Sequence, residues 1–116
     1  MSRRDPSVLL EDMLGAARKA LAYAGGHAVD VLAREPMRRD AIIRQLEIVG
    51  EAASRVDEGT RNATPDVPWA DIIGMRNRLI HGYYVVDDAI LWRTVTVRLP
   101  ELIAMLEGHI GGGTRP

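Results

Sequence analysis

The 116-residue chain contains no cysteine, no phenylalanine, a single lysine (Lys19) and a net charge of only −1 at pH 7. Without cysteine there is no disulfide framework, no thiolate zinc site and no thiol nucleophile. Three scattered histidines do not make a metal site on their own, so neither a metal nor another cofactor is expected. Apolar runs are only a few residues long, too short to span a membrane. No basic-then-apolar leader with a cleavage site opens the sequence, so the expected compartment is the cytoplasm. The near-zero charge excludes a protein that coats nucleic acid by bulk charge alone, while leaving room for a local arginine patch. Gly25-Gly26 and Gly111-Gly112-Gly113 match neither a P-loop nor a dinucleotide fingerprint. What the chain does have is arginine, fourteen against the one lysine. A GC-rich genome is the plain source of such a bias. The informative question is therefore whether any one arginine sits where solvation cannot explain it.

Length indicates one domain, large enough to bury roughly two-thirds of its unfolded surface. After the polar residues 1–6, Leu10, Met13, Leu14, Ala17, Leu21 and Ala24 recur at the three-and-four spacing of a helix stripe. Ser7 is placed to cap that helix and Gly25-Gly26 to end it. A short helical piece from Ala28 to Arg34 leads to Pro36, which suits the first turn of a new helix. Its stripe is Ile42, Leu46, Val49, Ala53 and Val56, and Gly59 closes it. Residues 59–68 (GTRNATPDVP) read as a loop. A third helix starts near Trp69 and stops at Gly82. Asp87 or Asp88 caps a last one, with the stripe Leu91, Val95, Leu99, Leu102, Leu106 and Ile110. Pro100 falls inside that pattern and should kink or split the helix. The run Tyr83-Tyr84-Val85-Val86 has strand-forming residues but no partner run. The expected architecture is all-α: one domain over residues 1–110, an up-and-down bundle of four main helices plus one short helix, with a flexible tail at 111–116.

Residues 69–84 (WADIIGMRNRLIHGYY) are where chemistry concentrates. At about 100° per residue, Trp69, Ile72, Ile73, Leu79 and Ile80 fall within an arc of roughly 120°. Arg76 falls inside that arc, whereas Arg78 lies on the opposite face, where a solvated arginine belongs. An arginine on an apolar face is either paired or lines a site. One account of Arg76 is a buried ion pair with Glu47 or Glu51 of the preceding long helix. The other is an anion clamp, because a planar guanidinium takes a phosphate through two parallel hydrogen bonds. The two are compatible, with Glu51 as a supporting carboxylate. His81 follows five residues later, about 140° away on a straight helix. It converges with Arg76 only if the helix ends at or before it; otherwise it reads as a capping histidine. Asn77, between the two directions, is placed to bind a ligand, to orient the histidine, or to stand on the surface. Tyr83 returns to the apolar arc, the place of a half-buried core tyrosine. His27 and His109 have no convergent partner in sequence.

As a whole this segment resembles the HEPN superfamily, and within it the HepT-like toxins of nucleotidyltransferase–HEPN toxin–antitoxin pairs. The motif of those toxins is an arginine followed by a polar residue, a histidine after a four-residue spacer, and a tyrosine two further on. Here it reads Arg76-Asn77-Arg78-Leu79-Ile80-His81-Gly82-Tyr83. The flanks also look like the family: WADIIGM at 69–75, Val86-Asp87, Trp92, Leu99-Pro100, and RQLEIVGEAA at 44–53, so that the resemblance covers most of residues 7–107. It implies an all-α homodimer formed through the motif face and a metal-independent endoribonuclease. In that enzyme Arg76 and His81 are the catalytic pair and Asn77 is the polar neighbour. It also implies a cognate nucleotidyltransferase antitoxin, which in such pairs can adenylylate the motif tyrosine, Tyr83. RNA rather than DNA is the implied substrate, since such cleavage uses the 2′-hydroxyl as an internal nucleophile. The alternative is a non-catalytic module of the same fold that holds a nucleotide or serves a partner.

Overall fold

The structure is a computed structural model that describes residues 5–82 and 86–113, and no strand occurs among them. Helix α1 (Pro6–Ala24) is capped by Asp5 rather than Ser7. The Asp5 carboxylate accepts from the Ser7 backbone N–H at 2.9 Å, and Pro6 takes the first helical position, where no donor is needed. The helix stops where expected: Gly25 caps it and Gly26 adopts a φ of 79°, open to glycine at no steric cost. The one-turn helix α2 (Val31–Arg34) leads to α3 (Pro36–Ser54), again with proline in the first turn.

Helix α3 is shorter than its stripe suggested. It ends at Ser54, not Gly59, although Val56 still reaches the core. Asp57 then opens α4 (Glu58–Ala63), accepting from the Thr60 N–H at 3.0 Å. The stretch expected to be all loop therefore begins with a capped helix of six residues, too short to display a hydrophobic period. Helix α5 (Trp69–Gly82) follows, and Asp87 caps α6 (Asp88–Arg93) by accepting from Ala89 N–H.

Between α6 and α7 (Leu99–Gly113) lies a π-helical turn, Thr94–Arg98, in which Leu99 N–H donates to Thr94 C=O. The wide turn immediately precedes Pro100. In a regular helix that ring would strike the Thr96 carbonyl, and the π turn absorbs the misfit without splitting the run. Helix α7 continues through Gly111–Gly113, past the expected helical end at 110, and 114–116 lie outside the described residues.

Four long helical runs and two short helices thus make the all-α bundle. Helix α1 packs against both α3 and α7, and its alanines 16, 17, 20 and 24 are all buried, allowing close approach. Met13, Ile42, Leu91, Val95 and Leu106 are wholly buried between these helices. Helix α5 packs against α3. No helix among the described residues is long and apolar enough to cross a membrane.

Candidate functional site

Helix α5 is pinned at its start. The Trp69 indole donates to the Thr64 carbonyl at 3.2 Å, and the Arg61 guanidinium lies 5.8 Å from the Trp69 ring centre while donating to the Ala53 carbonyl at 3.0 Å. One arginine thus ties the end of α3 to the start of α5, and the two helices run antiparallel. Further along, their closest approach is a notch at Gly50. A Cβ at Gly50 would collide with Arg76 Cβ and lie 2.6 Å from Arg76 Cγ. No side chain at position 50 is compatible with this crossing, so the absence of one is what seats Arg76.

Arg76 is half-buried there, and its Nε is buried with no hydrogen-bond partner. Its Nη1 donates to the Asn77 side-chain Oδ1 at 3.0 Å. Neither Glu47 nor Glu51 pairs with it. Both carboxylates accept from Arg44 instead, each at 3.2 Å, and the two acids together hold the Arg44 guanidinium charged beyond its ordinary range. The internal ion pair that would have given Arg76 a purely structural role is not formed.

His81 is not brought to Arg76 within one chain. Helix α5 runs unbroken through Gly82, so the two side chains leave it about 140° apart, and His81 is exposed. Asn77 is exposed between them. Ile80, expected on the buried arc, is 38% exposed, because the core side of α5 is set by Leu79 and Trp69. The outward face therefore carries Asn77, Ile80 and His81 beside the half-buried Arg76. Tyr83 lies outside the described residues. Among the described residues, a hollow of about 650 Å³ lies between α5 and α7 and one of about 380 Å³ between α1 and α3, and neither is lined by Arg76, Asn77 or His81. Glu51 borders the smaller one.

Sequence reading overlooked Gly50 as the residue that seats Arg76. The signal was present: a glycine inside a helix costs about 1 kcal/mol against alanine and usually answers to a packing need. Arg44 was overlooked as well, although its spacing of three and seven residues from Glu47 and Glu51 on one helix face was a signal for pairing with both.

Residues 13–108 match the family model described as HepT-like ribonuclease. A Methanocaldococcus jannaschii protein provisionally named an RNase is 35% identical over 102 residues, covering 88% of this chain and 94% of the relative. Another from Caldanaerobacter subterraneus, named in the same way, is 33% identical over 99 residues, 85% of this chain and 88% of that one. A Thermococcus cleftensis protein provisionally named ribonuclease HepT is 40% identical over 67 residues, 58% of this chain and 61% of the relative. No solved structure shows a significant match.

Proposed function

Because the chain belongs to the HepT-like ribonuclease family, we propose that it is a metal-independent endoribonuclease whose catalytic residues, Arg76 and His81, act at a site shared by two copies of the chain. The observation that carries this reading is the separation of the pair. Arg76 is a half-buried guanidinium without a carboxylate, His81 is exposed on the same unbroken helix, and the face between them is outside both hollows. A two-fold axis through the outward face of α5 would bring two Arg76 and two His81 into one cleft and cover Ile80.

In that cleft the RNA 2′-oxygen attacks the adjacent phosphorus as the bond to the 5′-oxygen breaks. One His81, neutral, takes the 2′ proton, and the other, protonated, gives a proton to the leaving 5′-oxygen. The products are a 2′,3′-cyclic phosphate and a 5′-hydroxyl end. The Arg76 guanidinium, steered by Asn77, stabilises the charge that builds on the pentacoordinate phosphorus.

The same reading makes the chain a toxin held in check by a nucleotidyltransferase. Adenylylation of Tyr83, two residues past His81, would add a phosphate and an adenosine beside the cleft, occupying the arginine and obstructing the RNA.

The test is cleavage of RNA in EDTA by wild type, Arg76→Ala and His81→Ala. Loss of at least about 10²-fold in each variant is expected. Equal cleavage by all three would overturn the assignment, and RNA binding without cleavage by wild type would favour the binding module. Mixed dimers carrying one His81→Ala chain test the shared site, which undiminished cleavage would sink. Tyr83→Phe should abolish labelling by the partner enzyme; continued labelling would place the modification elsewhere.

A further inference from the structure

Arg76 packs against Gly50, three residues after Glu47 and one before Glu51, and pairs with neither acid. At the notch with Gly50, the core side of α3 is Leu46 and Val49, and the core side of α5 is Leu79. Glu47 and Glu51, four residues apart, lie one above the other on the part of α3 turned away from that core, Glu51 also bordering the hollow between α1 and α3. Their side chains are only 18% and 33% exposed. A partly buried arginine is ordinarily paired with an acid. Here Arg44, on the same strip of α3, donates to Glu47 Oε1 and Glu51 Oε2 and satisfies both.

We infer that Arg44 is a positioning residue: by holding Glu47 and Glu51 in a three-residue ion cluster, it keeps the Arg76 guanidinium free for an RNA phosphate. This rests on Arg76 as the phosphate-binding group. Without Arg44, the two acids are left uncompensated within a turn of Gly50. Arg76 then turns from Asn77 toward them, and their charge repels the incoming phosphate.

The test compares wild type, Arg44→Met, Arg44→Met with Glu47→Gln and Glu51→Gln, and Arg44→Met with Glu58→Gln. Glu58 is an exposed acid at the start of α4 and serves as the control for bulk charge. On a fluorescent mixed-sequence RNA, Arg44→Met is expected to lose about tenfold in kcat/KM with little change in Tm. The inhibition constant of inorganic phosphate should rise in parallel. Removing Glu47 and Glu51 as well should return activity to within about twofold of wild type, while Glu58→Gln should rescue nothing. Full activity in Arg44→Met overturns the inference. So does a triple variant as weak as Arg44→Met, which would mean that Arg44 touches the RNA itself, and so does equal rescue by Glu58→Gln.

A wild-type protein that cleaves nothing would instead count against the ribonuclease assignment. The inference is then decided by the nitrogen-15 signal of Arg76 Nε and by phosphate titration. Both should differ between wild type and Arg44→Met, and identical spectra and titrations overturn it.

Discussion

Helices α1 and α5 carry the same kind of apolar stripe and end up in different circumstances. Along its 19 residues α1 buries eight side chains; along its 14, α5 buries two, Trp69 and Leu79. The cause is in what faces them. Helix α1 lies between α3 and α7 and presents alanines to both, whereas α5 packs on α3. Its arc also includes an arginine, which a closed core would have to neutralise. A stripe thus reports which side of a helix avoids water, but not how much protein is available to cover it. On α1 the cover comes from the same chain. On α5 part of the stripe is left open, and the candidate catalytic residues stand in that opening.

The contrast can be broken most forcefully on the α1 side. Met13 is wholly buried, so Met13→Ala should cost about 3 kcal/mol of unfolding free energy in denaturant melts. A cost near zero would mean that α1 is no better packed than α5.

A change on the open side of α5 should act in the opposite manner. Ile80→Glu should leave the stability of a single chain within about 0.5 kcal/mol, yet shift the protein to monomer in light scattering and abolish cleavage. An unchanged dimer would move the shared site off this face.

The smallest effect concerns the tie between the segment after α4 and the end of α7, where His109 Nε2 lies 2.6 Å from an Asp66 oxygen. The bond from His109 holds the Asp66 carboxyl below its ordinary value. A depressed folded pKa stabilises above the unfolded value and is lost as pH falls through the folded one. The stability difference between wild type and His109→Ala should therefore be present at pH 5 and shrink below about pH 4. A difference that grows on acidification would contradict the pairing.

Much of the fold was legible because hydrophobic spacing is a physical requirement of burial. The stripes of α1, α3 and the α6–α7 run all reappear in the core. The failures are local. Asp5 outcompetes Ser7 as a cap because a proline at position 6 offers no competing donor. Helix α4 is built from one side-chain cap among loop-like residues, and the π turn repairs a proline misfit that spacing alone could not resolve.

At the site, the oddity of Arg76 could be read directly from the wheel. Its lack of an ion pair could not, since the wheel of one helix does not show that Glu47 and Glu51 of another pair with Arg44 instead. Ile80 was placed inward because the wheel fixes angles around a helix, while the direction of the core is fixed by the neighbouring helix.

Gly50 has one more consequence. With no room for a Cβ between position 50 and Arg76 Cβ, positions 50 and 76 behave as a single lock and key cut from two helices. A methyl group at 50 leaves the chemistry of the arginine intact and changes only where it stands. With Arg76 as the proposed phosphate-binding group, the spacing of α3 and α5 would set where that group stands, and a change that prises the two helices apart would alter cleavage without touching the RNA.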